Sequence, residues 1–343
     1  MKLLVTGGAG FIGSNFIRYW LSEHLNDEIV NVDVLTYAGD QLSLAEIERG
    51  SSGRYVFVQV DIGDPVGVAR TFARHRPEVV VNFAAESHNS RALLDPSTFV
   101  RTNVLGTQTL LDAARQSRVE RFHQISTCEV YGDLPLDSHE SFREDSPYRP
   151  HTPYSASKAA ADHLVRASFS TFGLPVTISV CANNYGPFQF PEKVIPLFAT
   201  NALDDTSLPL YQHNENRREW IHVDDHCRAI ALILERGVPG ETYNIGTGDE
   251  RSIEQLADAI LEILGKPDSL KTYVTDRPGH DRRYLLDHTK LSTSLGWAPI
   301  VPFDQGLRAT VEWLANRREW WEGKKRLRAS ELRETEWTKS GQI

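Results

Sequence analysis

The segment "LLVTGGAGFIGSNF" constrains this chain most, because it sets Gly7, Gly10 and Gly13 between an apolar β-branched run and a helix-like one. Glycines at that spacing allow a tight turn, let a pyrophosphate approach the backbone and let the helix pack closely on its strand, while the helix N-terminus favours negative charge. Asp33 closes the next strand-like run, 20 residues after Gly13. A carboxylate there can accept hydrogen bonds from the hydroxyls of an adenosine ribose and repels a 2′-phosphate, so the spacing predicts NAD as cofactor in preference to NADP.

Apolar runs recur at 3–6, 29–32, 55–60, 79–83, 122–125 and 176–180, separated by helix-length segments such as "NVLGTQTLLDAARQS" and "YSASKAAADHLVRASFSTFG". That rhythm predicts an α/β fold, a Rossmann-type doubly wound parallel sheet. Beyond "NNYGPFQFPEK" the rhythm loosens. Residues 1–184 are therefore read as the NAD-binding domain and 185–315 as mainly a smaller C-terminal mixed α/β substrate lobe, with room for the chain to cross between the two. Residues 316–343, with Trp320, Trp321 and the basic run Lys324-Lys325-Arg326, read as a polar tail and a solvated helix.

Composition excludes several classes. A formal net charge of −9 argues against a nucleic-acid or acidic-membrane partner, whose phosphates would be repelled. Cys128, Cys181 and Cys227 are odd in number and lack metal-type spacing, which predicts neither a disulfide framework nor a metal site. The apolar start is too short and glycine-broken for a signal or membrane helix, so the cytoplasm is the expected compartment.

Two segments carry chemistry. In "YSASK", Tyr154 and Lys158 lie four residues apart on one helical face, where an ammonium and the positive charge of an oxidised nicotinamide would draw a phenol's pKa of about 10 toward neutrality. Tyr154 could then take a sugar hydroxyl proton as a hydride leaves the same carbon. In "STCEVYG", Thr127, Cys128 and Glu129 follow a strand-like run. A thiol beside a carboxylate stays protonated at neutral pH and is a poor acid toward a leaving hydroxide.

With these segments in place, the chain resembles the extended short-chain dehydrogenase/reductase family, and within it the nucleoside-diphosphate-glucose 4,6-dehydratases of the dTDP-glucose type. "VTGGAGFIGS", "NVDVLTYAG", "AAESH", "STCEVYGDLP", "NNYGPFQFPEK" and "RPGHDRRY" carry the likeness, the "LTYAG" of the second and the last two being the most specific. The resemblance implies a cycle that regenerates its NAD: oxidation at carbon 4 with Tyr154 as base, loss of the carbon 5 proton to Glu129, departure of water from carbon 6 and hydride return to carbon 6. It places Thr127 on the 4-hydroxyl. Phe11, Ile12, Thr36, Phe83, Ala84, Ala85, Ser87, Thr102 and Asn184 are implied to contact the cofactor, with Asp61 and Ile62 against its adenine. Ser87, Ser90, Asn183, Lys193 and Val194 are implied to meet the sugar diphosphate, and Pro209, Tyr211, Arg218, His280, Arg282, Arg283 and Tyr284 the nucleotide, arginine being suited to a bidentate grip on phosphate. A homodimer formed through two helices beginning near Val104 and Pro153 is likewise implied.

The resemblance also marks departures. Typical dTDP-glucose dehydratases carry aspartates where this chain has Cys128 and Ser90, whereas the related GDP-mannose 4,6-dehydratases place a serine at the first position and rely on the glutamate. Other outcomes are a diverted cycle releasing a 5,6-ene sugar, decarboxylation of a nucleotide uronate, 4-epimerisation, or an NAD-binding redox sensor switched by Cys128. The 4-epimerase would leave Glu129 without a task, and the sensor would leave Thr127, Glu129, Tyr154 and Lys158 idle.

Overall fold

In the computed structural model, residues 1–51, 53–212, 215–276 and 279–334 are described; of the motif "RPGHDRRY", Arg277 and Pro278 lie outside them, as does the end of the tail from 335. The β-branched runs become the strands β1 (Lys2–Thr6), β2 (Glu28–Asp33), β3 (Tyr55–Gln59), β4 (Val79–Asn82), β5 (Arg121–Thr127) and β6 (Val176–Cys181). Later in the chain come β7 (Asn183–Tyr185), β8 (Leu208–Tyr211), β9 (Arg217–His222), β10 (Thr242–Ile245), β11 (Glu250–Ser252) and β12 (Lys271–Val274).

Among the described residues, seven strands form one parallel sheet in the order β10-β6-β5-β4-β1-β2-β3. Helices cover both faces, which is why its strands read as continuous apolar runs: Leu3, Leu4, Val5, Val80 and Val81 are all fully buried. The strand order reverses between β1 and β4, and ligands bind at such a switch point, beyond the carboxyl ends of the strands. Register aligns those ends, with Thr6 opposite both Val32 and Asn82, so Gly7, Asp33 and Phe83 emerge together.

A second core holds the smaller lobe. Ile195, Phe198, Leu256, Ile260, Leu307 and Val311, from the helices Val194–Leu203, Ile253–Leu264 and Phe303–Ala315, pack beside the β11-β9-β7 sheet and the β12-β8 pair. β10 pairs in parallel with β6, and residues Ala229, Ile230 and Ile233 of the helix Val223–Arg236 belong to the main core, so 223–245 extend the nucleotide-binding sheet although they follow residue 185. Without β10, β6 would present a bare edge to solvent.

The tail differs from a solvated helix at its start. In the helix Arg318–Glu334, Trp321 is 1% exposed and donates its indole N–H to the Leu314 carbonyl at 2.8 Å, while Lys324 pairs with Asp40 at 2.6 Å. A tryptophan's large apolar surface outweighs the polar character of its neighbours. No helix of the described residues is long and apolar enough to cross a membrane.

Two local features position the site. The predicted helix near Val104 begins as a π-helical turn, Val100–Gly106, before continuing as Thr107–Ser117; a Cβ at Gly106 would lie 2.7 Å from the Ile62 side chain. The helix Pro153–Phe172 starts at Thr152, whose hydroxyl and Ser155 form a reciprocal cap, and stops at Gly173 in the left-handed conformation. Tyr154 and Lys158 thus sit in the first, fixed turns of a well-capped helix.

Candidate active site

The glycine turn leaves no space for side chains. Gly7 has a φ of +67°, and a Cβ there would lie 2.6 Å from the Ala84 nitrogen, while one on Gly13 would lie 2.4 Å from the Gly7 carbonyl. The helix Phe11–Glu23 begins at Gly10 with neither a side-chain cap nor an acidic residue in its first turn, so its first N–H groups remain available to an anion. Asp33 accepts N–H bonds from Ala9 at 3.0 Å and Leu35 at 2.8 Å, one on each oxygen. Burial raises its carboxyl above the ordinary range, and these backbone donors oppose the rise. A cradle that any Cβ would fill, bare helix N–H groups and a fixed carboxylate suit the pyrophosphate and ribose of a dinucleotide.

A cleft of about 510 Å³ opens above this turn. Gly7, Gly10, Phe11, Ile12, Gly13, Asp33, Thr36, Asp61, Ile62, Phe83, Ala84, Ala85, Ser87, Thr102 and Asn184 border it, as do Thr127, Glu129, Tyr154 and Lys158. β5 delivers Thr127 at its carboxyl end, and the turn Cys128–Tyr131 that follows brings Glu129 to the wall, with its N–H on the Thr127 hydroxyl at 3.4 Å.

Lys158 is anchored on β5. Its ammonium donates to the Ile125 carbonyl at 2.6 Å, and burial lowers its pKa against the opposing field of Asp162. The phenol of Tyr154 is pushed well up by burial and next by the Glu129 carboxylate, with a Thr127 hydrogen bond opposing. Burial and the Glu129 carboxylate thus disfavour the phenolate, which the positive charge of an oxidised nicotinamide would favour.

Cys128 does not border the cleft. Its thiol is 2% exposed and belongs to the core that also holds Ile125, Val130 and Tyr131; burial first, then Glu129, drives its pKa well up. It is a neutral thiol packed behind the wall that carries Glu129.

The remaining positions divide. Asn183, Lys193 and Val194 border the cleft, and the Lys193 ammonium bonds the Ser87 carbonyl at 3.0 Å, linking two of its walls. Ser90 sits in the short helix Asn89–Leu94 outside the cleft lining. Tyr211, at the end of β8, meets the His280 ring edge-on at 5.2 Å, and Pro209 lies on the same strand. Arg282 is half exposed, with Glu215 at 3.7 Å.

Arg283 is engaged within the protein. It is 4% exposed, forms a two-point ion pair with Glu250 at 2.7 Å on each arm, and donates to the Ser138 and Glu140 carbonyls at 2.8 and 3.2 Å. Arg218 likewise bonds the Arg217 and Asp281 carbonyls and lies 4.6 Å over the ring of Tyr284, whose hydroxyl bonds Asp281. These side chains brace the wall from inside. Removing one partner of a buried ion pair costs about 3–5 kcal/mol, and Glu250 keeps some solvent contact, so Arg283→Met is expected at the lower end. Chemical denaturation should show that loss, with substrate KM unchanged in the folded fraction.

The chain matches the GDP-mannose 4,6 dehydratase family over residues 4–310. It is 47% identical to dTDP-glucose 4,6-dehydratase 1 of Escherichia coli K12, over 93% of this chain and 94% of that one. The chain belongs to this dehydratase family. Among solved structures, the dTDP-glucose 4,6-dehydratase DesIV of Streptomyces venezuelae, crystallised with NAD, superposes with a TM-score of 0.91 at 47% identity, covering 94% of this chain and 100% of that one. A Bacillus anthracis dTDP-glucose 4,6-dehydratase in complex with NAD gives 0.88 at 42% identity, covering 94% and 99%.

Within this dehydratase family framework, the buried neutral thiol has a measurable consequence. Cys128→Ser keeps a small neutral donor at the same place, so at least about a tenth of the activity is expected to remain, since losing a true general acid costs ~10²–10⁴. Steady-state turnover checks it. Sequence reasoning missed Asn89, whose side-chain amide donates to Glu129 Oε2 at 3.0 Å, and Glu192, which borders the cleft and accepts the Tyr37 hydroxyl at 3.1 Å. Neither lies in a spacing that names it; "AAESHNSRA" and "FPEK" carried them only as neighbours of other residues.

Proposed function

We propose that this chain is an NAD-dependent nucleotide-sugar 4,6-dehydratase, a lyase, and that it converts dTDP-glucose to dTDP-4-keto-6-deoxyglucose. One observation carries the reading: Glu129 and Tyr154, a carboxylate and a phenol, border the same dinucleotide-shaped cleft together with Thr127 and Lys158. Two proton acceptors at one cleft serve a reaction that removes two protons from one sugar. The named relatives point to the base and the hexose.

NAD, when bound, supplies the hydride acceptor for carbon 4 of the hexose and the hydride donor for carbon 6. Thr127 holds the 4-hydroxyl and Tyr154 takes its proton as the carbon 4 ketone forms. That ketone acidifies the proton on carbon 5, which Glu129 removes. The carbon 6–oxygen bond then breaks, and Glu129 hands the same proton to the departing hydroxyl, so that water leaves and the carboxylate is restored; when carbon 6 receives the returning hydride, carbon 5 takes up a proton from solvent, which balances the one Tyr154 gives back to solvent. Cys128 takes no part, being neutral and behind the wall. Asn183 and Lys193 hold the diphosphate, while Pro209, Tyr211, His280 and Arg282 face the nucleotide.

The chain works as a cytoplasmic homodimer in this reading. Val100 and Leu105 on one helical segment and Phe169 and Phe172 on the helix Pro153–Phe172 are exposed apolar side chains that a second copy would cover. Incubation with dTDP-glucose, GDP-mannose, UDP-glucose and UDP-glucuronate, followed by proton NMR of the products, tests the function. A methyl doublet beside a 4-ketone from dTDP-glucose is expected. An exocyclic methylene, loss of carbon dioxide or a 4-epimer would overturn it.

A further inference from the structure

Three segments meet at Asn89. The residue opens the helix Asn89–Leu94, and its Nδ2 donates to Glu129 Oε2 at 3.0 Å. Its Oδ1 accepts the hydroxyl of Thr152 at 3.0 Å. Thr152 is 3% exposed and caps the helix carrying Tyr154 and Lys158, and its oxygen already accepts the Ser155 N–H at 3.1 Å. The Ser155 hydroxyl, 2.9 Å away, can donate to the same oxygen, and with the Thr152 proton on Asn89 Oδ1 the N–H side of the amide faces Glu129. The reversed amide would set an oxygen against the carboxylate.

We infer that Asn89 is the positioning residue for Glu129, aiming its carboxylate into the cleft and registering it against the helix that carries Tyr154. The inference rests on the reading in which Glu129 takes the carbon 5 proton. A hydrogen bond donated to a carboxylate favours its charged form, which is the form a base needs, and a bond anchored at a helix cap also restricts the rotamers the side chain can adopt. Asn89 touches no reacting atom in this scheme. It acts on the second proton abstraction and leaves the first to Tyr154.

The test separates the two steps in the full-length enzyme with dTDP-glucose. Asn89→Leu removes the amide at similar size, and Asn89→Asp keeps the shape while replacing the donor by a second carboxylate. Transient NADH absorbance in single turnover reads oxidation at carbon 4; exchange of the carbon 5 proton with deuterated water reads Glu129. Oxidation is expected to stay within about twofold of wild type, and exchange to fall about 10–100-fold, less than the ~10²–10⁴ that loss of the base itself would cost. The aspartate variant should lose more, and the acid limb of the exchange–pH profile should move to higher pH. Asn89→Asp also decides the matter if the leucine variant does not fold. Equal loss of both steps with an unmoved pH profile would mean a structural role only, and unchanged exchange would remove any role; either overturns the inference. Exchange persisting in Glu129→Gln would instead overturn the assignment of Glu129 itself, whatever Asn89 does.

Discussion

Tyr154→Phe is expected to form no NADH in a single turnover with dTDP-glucose. Hydride cannot leave carbon 4 while the hydroxyl on that carbon has no acceptor for its proton, and loss of a general base costs ~10²–10⁴ in rate. Neighbouring groups offer no substitute. Thr127 is a neutral hydroxyl, Glu129 is held by Asn89, and Lys158 is directed to the Ile125 carbonyl. Phenylalanine fills the same volume beside Phe99, whose ring lies 6.3 Å away and edge-on, so fold and sugar-nucleotide binding should survive. Normal NADH formation in this variant would contradict the role of Tyr154.

Glu129→Gln is expected to abolish dehydration while leaving reversible oxidation at carbon 4. Its Oε1 can still accept the Asn89 amide, so the side chain keeps its place and loses only its basicity. Turnover to the 6-deoxy product should fall by at least ~10²-fold, and exchange of the carbon 5 proton with deuterated water should vanish. NADH should still appear in single turnover. A variant that retains exchange would show that another group removes the carbon 5 proton.

Much of the sheet and the nucleotide turn was legible because their causes are local. β-branched runs buried on both faces must read as apolar, and Gly7 and Gly13 are needed where a Cβ would strike the Ala84 nitrogen or the Gly7 carbonyl. The spacing of Tyr154 and Lys158 follows from the helical repeat alone. Other features depend on what the tertiary fold brings near. The amide of Asn89 matters because residue 129 arrives opposite it, 40 positions later. Arg283 reads as a phosphate ligand until Glu250 and two carbonyls occupy its donors, and Trp321 reads as solvated until the Leu314 carbonyl receives its indole. The burial that opposes ionisation of Tyr154 and the bond from Lys158 to the Ile125 carbonyl were likewise out of reach.

The most direct measurement of the proposed cycle uses dTDP-glucose carrying deuterium on carbon 4, converted in ordinary water and examined by NMR. Deuterium in the new methyl group at carbon 6, with a ketone at carbon 4, is the expected result. Deuterium back on carbon 4 beside an exocyclic methylene would contradict it.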